Sequence, residues 1–404
     1  MTNMRCAGAR GTRQGVPKMS ETNAMAAGET VLQGYVVEGY EGLHDAFLKN
    51  FSELGEIGGS FAVMVDGKLV ADLWGGWKNV EKTAPWERDT ISCVWSTSKG
   101  IGAVCFAMLV DRGLASYEDK VSEYWPEFAA EGKGDVTIGM LVSHQSGITG
   151  FSTPATLADL FAGEAAAQRL AAQAPLWPLG TASGYSNVVG ILETALFKRI
   201  EGRSIRKFVA EELKGVFGLD LSVGLDARDK PRVADLLGGD KMDALNTIPA
   251  SNDAQRAVHN PPMRGDMPNN ADFQSADIVA ANGFTNARAL ASMYGLLLHR
   301  DALGRRLVGD AALAESRKLR FDGIDLVRGV RRPWAAGFLL NEEHVWGPNN
   351  EAFGHGGWGG SFGFADPVAG VAVGYAMNLM SDQMDLNPRR RGLIDAVYAA
   401  LASR

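Results

Sequence analysis

The chain has 404 residues, 46% of them hydrophobic and 22% charged. A chain this long buries roughly three-quarters of its unfolded surface, so no disulfide or metal staple is needed to hold a core. Forty Lys and Arg against 47 Asp and Glu leave a net charge of −7, which argues against nucleic acid or an anionic membrane as partner. Glycine stands out at 49 residues, about 12% of the chain against a typical ~7%. With no G-X-Y period, collagen is excluded and the excess belongs to turns and close backbone approaches.

Residues 1–27 mix Gly, Arg, Thr, Ser and Asn without an apolar h-region. They read as a disordered leader instead of a secretory signal, with Met19 as an alternative start. No stretch reaches the ~18 apolar residues of a membrane span. The three cysteines, Cys6, Cys93 and Cys105, form no CxxC and leave an odd thiol, so a reduced, cytoplasmic setting is expected. The six histidines lack HxH or HxxxH spacing, and neither metal nor cofactor is expected.

Leu43, Phe47, Phe51 and Leu54 recur at helical spacing and predict a helix over 41–54. Residues 60–65 and 68–74 alternate as strands around Asp66-Gly67, a strong hairpin signal. Residues 95–112 are almost wholly apolar after the first turn and end at Gly113, which predicts a helix buried on most sides. From about 115 to 300 the pattern is mainly helical. One stripe joins Ile205, Phe208, Val209, Leu213 and Val216, and another Leu290, Met293, Tyr294 and Leu297. Between them, 226–283 is aperiodic, the mark of a functional surface or lid. Strand patterns return at 334–340, 362–365 and 371–378, and a last helix carries Leu393, Ile394, Val397 and Leu401. The expectation is a sheet domain from 28–114 and 300–404, with 115–299 as a mainly helical insertion.

Three familiar motifs need sorting. Gly359-Gly360-Ser361-Phe362-Gly363 fits G-x-S-x-G, but a nucleophile elbow needs a following helix and here a strand and an Asp-Pro turn follow, so Ser361 is structural. Gly354 to Gly359 fits G-x-G-x-x-G, yet it opens a strand and not a helix, which excludes a dinucleotide site. S-x-x-K occurs twice. Ser204 and Lys207 read as an N-cap and a solvated helix face. Ser96 and Lys99 open an otherwise apolar helix, where an ammonium is costly to bury and a neutral lysine can take a serine proton.

Two more segments join that pair. Tyr185-Ser186-Asn187 is the chain's one Y-x-N, and a loop tyrosine works as a general base only beside a cation such as Lys99. His355-Gly356-Gly357-Trp358-Gly359-Gly360 precedes a strand, and its backbone N–H groups can receive an oxyanion.

Ser96-x-x-Lys99, Tyr185-x-Asn187 and His355-Gly356-Gly357, in that order, resemble the serine β-lactamase / penicillin-binding-protein superfamily. The resemblance is nearest to the class C β-lactamase-like family VIII carboxylesterases. It spans about residues 40 to 400 and includes Leu141 to Gly147, Asn282 to Arg288 and Phe353 to Pro367. It implies an α+β fold in which an antiparallel sheet flanked by helices stands beside an all-helical domain, with the site in the cleft between. Ser96 would then be the acylated nucleophile, with Lys99 and Tyr185 sharing the general-base work. Asn187 would position substrate, and the N–H groups of Ser96 and Trp358 would form the oxyanion hole. Ser143 to Gly147 resembles a structural turn of the superfamily, which leaves His144 outside the site.

The lactamases carry Lys-Thr-Gly where this chain has His355-Gly356-Gly357, and Trp358-Gly359-Gly360 competes for the same alignment. A mostly neutral histidine holds a β-lactam carboxylate less well than a lysine does. The expected function is therefore a serine carboxylesterase on short- to medium-chain esters, with weak β-lactam hydrolysis as a side activity. A D-aminopeptidase-like amidase, a β-lactamase, an acyltransferase and a non-catalytic penicillin-recognising protein are the alternatives, and homo-oligomerisation stays open.

Overall fold

The computed structural model describes residues 32–239, 242, 249–341, 344–383 and 387–403. The leader assigned to 1–27, with Cys6 and Met19, lies outside them.

The main sheet has seven strands: β1 (Leu32–Val36), β2 (Gly58–Val65), β3 (Lys68–Gly76), β7 (Leu339–Leu340), β8 (Phe353–Gly356), β9 (Phe362–Asp366) and β10 (Val371–Met377). Their order is β1-β3-β2-β10-β9-β8-β7, and every pairing is antiparallel. Strands from the two chain ends thus meet at β2–β10, where Val65 pairs with Val371. Asp66 and Gly67 both have positive φ, the conformation a two-residue hairpin needs to match strand twist.

The two faces of this sheet differ in residue size. On one, Phe61, Val63, Phe362, Phe364, Val373 and Tyr375 pack against the helices Glu41–Ser52 and Pro388–Ala402. A buried Glu56–Arg389 ion pair at 2.7 Å ties the latter helix down. On the other, Ala62, Gly363 and Gly374 present almost no side chain, and a Cβ on Gly374 would lie 2.2 Å from the Ala287 carbonyl oxygen. The helix Ala287–Leu298 consequently sits close on β2, β9 and β10.

A second sheet of β4 (Ser92–Cys93), β6 (Gly283–Thr285) and β5 (Leu221–Val223), in the order β4-β6-β5, lies at the edge of the helical part. The helix Lys99–Asp111 is buried along nearly its whole length, as its unbroken apolar pattern predicts. No helix among the described residues is long and apolar enough to cross a membrane.

Two local expectations need correction. The strand expected over 334–340 is reduced to Leu339–Leu340. Gly337 adopts φ +81° and Ala335 N–H donates to the Phe338 carbonyl, so residues 335–338 form a tight turn. Val216 does not share the buried stripe of Ile205, Phe208, Val209 and Leu213 but is exposed. The backbone widens to a π-helix over Val209–Val216, and i→i+5 bonding shifts the phase of its last side chain.

Candidate active site

Ser96 is presented by a strained turn. After β4, Val94 N–H donates to the Gly283 carbonyl at 2.9 Å, and Trp95 then takes φ +47°, a left-handed conformation costly for a bulky residue. Packing holds it there, with the indole 5.3 Å from the Phe273 ring and 5.1 Å from the Trp358 ring. Trp95–Ser98 is a 3₁₀ turn, whose three-residue period eclipses side chains at i and i+3. Lys99 therefore stands over Ser96. Its Nζ lies 3.2 Å from Ser96 Oγ and donates to the Ala280 carbonyl at 3.1 Å.

The underside of the turn is closed by the glycine-rich segment. Ser361 Oγ is buried, donates to the Val94 carbonyl at 2.8 Å and sits 3.0 Å from Thr97 Oγ1. Gly357 touches the same place, where a Cβ would lie 2.2 Å from the Val94 carbonyl oxygen. The second serine braces the first, and β9 follows it directly. Ser204, in the other S-x-x-K, caps its helix by accepting from Lys207 N–H at 3.2 Å.

Tyr185 comes from the opposite side on a loop. Its Oη is hydrogen-bonded to Ser96 Oγ at 2.6 Å, and Lys99 Nζ is 4.6 Å from its ring centroid. Asp325, fully buried, fixes the Tyr185 backbone. Its Oδ1 accepts from the N–H groups of Tyr185 at 3.0 Å, Val327 at 3.0 Å and Arg328 at 2.8 Å. His144, also buried, packs 4.9 Å from the Tyr185 ring and accepts Ser186 N–H on Nδ1 at 3.2 Å. Burial, reinforced by the positive charge of Lys99, holds His144 well below the usual imidazole range. It is neutral, as an accepting Nδ1 requires. Trp334 stacks on Tyr185 with the centroids 6.1 Å apart and meets His144 edge-on at 4.8 Å.

His355 and Gly356 end β8, and Gly357 to Gly360 form the turn into β9, with Gly357 N–H donating to the Ser361 carbonyl. His355 is buried, its Nδ1 is 2.7 Å from the Gly356 carbonyl oxygen, and it stacks over Trp334. Burial first, then the positive charge of Lys99, pushes its imidazole down to about 3. Ser96, Lys99, Tyr185, Asn187, His355, Gly356, Gly357 and Trp358 all line one cleft of about 450 Å³. Asn187 Nδ2 donates to the Val258 carbonyl at its rim. The aperiodic segment 226–283 adds Gln255, Val258, Met263, Ala280 and Ala281 to the walls.

Comparison with known proteins places the chain in a family. The profile of the family described as Beta-lactamase matches residues 45–398. The chain belongs to this family. It is 32% identical over 345 residues to the Esterase/beta-lactamase LipL of Mycobacterium tuberculosis, covering 80% of this chain and 77% of that protein. A crystal structure of a family VIII carboxylesterase superposes with a TM-score of 0.86 at 37% identity, covering 92% of this chain and all of the other. A penicillin-binding protein homolog from Caulobacter crescentus gives 0.84 at 36% identity, with 92% and 100% covered. This member of the Beta-lactamase family is accordingly a serine hydrolase with the α+β fold that the resemblance implied.

Three side chains that shape this family member's cleft were not singled out from the sequence: Asp325, Trp334 and His144, the last set aside as part of a turn. The turn reading captures His144's positive φ of 63° but not its ring, which supports the Tyr185 loop. Asp325 sits in an irregular Gly- and Arg-rich stretch, where no periodicity marks it.

Proposed function

We propose that the protein is a carboxylesterase that hydrolyses short- to medium-chain esters through an acyl-enzyme on Ser96. The observation that carries this reading is the placement of Ser96 Oγ between Tyr185 Oη at 2.6 Å and Lys99 Nζ at 3.2 Å in an open cleft. Ser96 Oγ attacks the ester carbonyl and its proton passes to the Tyr185–Lys99 pair, which returns it to the departing alkoxide. A water then gives its proton to the same pair and attacks the acyl carbonyl. Collapse frees the carboxylic acid and restores the Ser96 hydroxyl. The backbone N–H groups of Ser96 and Trp358 receive the oxyanion in both halves. Asn187, at the rim, orients the substrate.

The wall favours esters over β-lactams. Val258, Ala281, Val327, Leu339, Trp346 and Trp358 line it and suit an acyl chain. His355 offers no positive charge at working pH, since its imidazole titrates near about 3. A lactam carboxylate thus finds no cation at that position and would have to reach Arg328, Arg332 or Arg390 elsewhere on the cleft wall, which agrees with weak lactam turnover at most.

The test is a p-nitrophenyl ester series from acetyl to dodecanoyl, run beside nitrocefin and, for acyl transfer, with an added alcohol. Turnover that peaks at short or medium chains, is lost in Ser96→Ala and exceeds nitrocefin turnover supports the reading. Full activity in Ser96→Ala, or nitrocefin as the better substrate, overturns it.

A further inference from the structure

The cleft carries a charge pattern that the reaction scheme does not use. The chain as a whole is acidic, with a net charge of −7. Among the described residues, however, the cleft walls hold Lys99, Arg328, Arg332 and Arg390 and no Asp or Glu. A cleft lined by one sign of charge between low-dielectric walls draws and orients ligands of the other sign. Lys99 belongs to the proton transfer at Ser96. Arg332 and Arg390 are buried, and the Arg390 guanidinium lies 4.5 Å from the Trp346 ring centroid. Arg328 differs from them. It is half-buried, and among the described residues no carboxylate pairs with its guanidinium.

The segment that carries Arg328 is fixed from both sides. The acid nearest in sequence, Asp325, is fully buried and turned to the N–H groups of Tyr185, Val327 and Arg328 itself. Across the cleft rim, Asn252 Nδ2 donates to the Leu326 carbonyl at 2.9 Å and Gln255 Nε2 to the Val327 carbonyl at 3.1 Å. The Arg328 guanidinium carbon then stands 5.9 Å from the Tyr185 ring centroid. The hydroxyl of that ring is hydrogen-bonded to Ser96 Oγ at 2.6 Å, so one tyrosine separates the cation from the nucleophile. In the scheme above, the Tyr185–Lys99 pair returns a proton to the departing alkoxide. The alcohol therefore leaves on the Tyr185 side, where Arg328 stands.

We propose that Arg328 is a specificity-determining residue that receives a carboxylate on the alcohol portion of the substrate, so that the preferred esters are those of carboxylated alcohols or phenols. The proposal rests on the reading of Ser96, Lys99 and Tyr185 given above and names the substrate class for that same site. A guanidinium offers two parallel N–H donors to a carboxylate, and such charge-assisted pairs are stronger and more directional than neutral ones. A half-buried cation is also screened less by salt than an exposed one. A flexible alcohol can bring its carboxylate to Arg328 while the ester carbonyl rests at Ser96. The carboxylate of a fused lactam is instead fixed close to its reacting carbonyl.

The experiment compares 4-carboxyphenyl butyrate with its neutral counterpart, 4-carbamoylphenyl butyrate, on wild type, Arg328→Gln and Arg328→Lys. A second pair, the mono-p-nitrophenyl ester of adipic acid and p-nitrophenyl hexanoate, carries the charge on the acyl side instead. Arg328→Gln should lose about tenfold more kcat/KM on the carboxyl butyrate than on the carbamoyl one, mostly through KM. Arg328→Lys should recover part of that difference. The second readout needs no variant: the wild-type preference for the carboxyl butyrate should fall about threefold between about 0.02 and 0.5 M NaCl. Equal losses on both butyrates overturn the proposal, since a merely structural role of Arg328 predicts them. A charge-selective loss confined to the adipate pair also overturns it, because the anion then sits on the acyl side. A preference that ignores salt overturns it even where Arg328→Gln fails to fold. Ser96→Ala run alongside separates the two levels. Activity without Ser96 removes the underlying reading, whereas an inactive Ser96→Ala with equal losses in Arg328→Gln removes only the role of Arg328.

Discussion

The two walls that meet at Ser96 are built by different means. The Ser96–Lys99 wall is held by backbone: a 3₁₀ turn running into a buried helix, a hydrogen bond to β6 and glycines that let segments touch. The Tyr185 wall is a loop held by side chains from far along the chain, chiefly the Asp325 carboxylate and the His144 imidazole. The first wall is stiff because backbone from Gly283 and Gly357 closes directly on a turn that runs into a buried helix. The second is stiff only while distant polar partners stay in place, so substitutions should spread its effects over activity and stability together.

The largest expected effect is on the first wall. Ser96→Ala should lower kcat/KM by ~10⁴-fold or more with an unchanged melting temperature, and it should abolish labelling by a fluorophosphonate probe in intact-mass spectra. Next, Tyr185→Phe removes the hydroxyl 2.6 Å from Ser96 Oγ and should cost about 10²- to 10³-fold in kcat, with KM little changed. A smaller rate loss would show that Lys99 carries the proton alone.

Asp325→Ala tests the second wall directly. Three backbone N–H groups lose their acceptor, and unfolding in denaturant should show a loss of about 3–5 kcal/mol. A fall in kcat should accompany it as the Tyr185 loop loosens. Asp325→Asn keeps one acceptor oxygen and should recover part of both. The smallest effect belongs to Ser361→Ala, which breaks the brace to Val94 and should cost about 1–2 kcal/mol of stability while keeping the activity within tenfold of wild type. If Asp325→Ala proved no more costly than Ser361→Ala, the contrast between the walls would be gone.

The same contrast explains what the sequence made legible. The helix after Ser96 announces itself by an apolar run that only a buried helix satisfies, and the β2–β3 hairpin by Asp66-Gly67. The sheet assembled from both chain ends followed from strand patterns at both ends, and the motif order brought Ser96, Lys99 and Tyr185 into consideration before any coordinates. Asp325 and Trp334 escaped notice because their roles depend on contacts some 140 to 150 residues away in the chain, and no local period encodes such a contact. Residues 334–340 looked like a strand because their apolar run outweighed the one glycine that turns it.

The pairing of β2 with β10 has a consequence for how the protein is made. Partners roughly three hundred residues apart must find each other before the sheet is continuous, and such long-range closure is slow. Both Ser96 and the strands bracing its turn depend on it: β8 and β9 emerge from the ribosome long after Ser96 and its helix. A nascent chain halted before Phe353 would carry the whole S-x-x-K helix yet have no cleft. Activity should therefore appear abruptly with the last strands, and chaperones that shield the unpaired β2 edge should raise the yield of refolding.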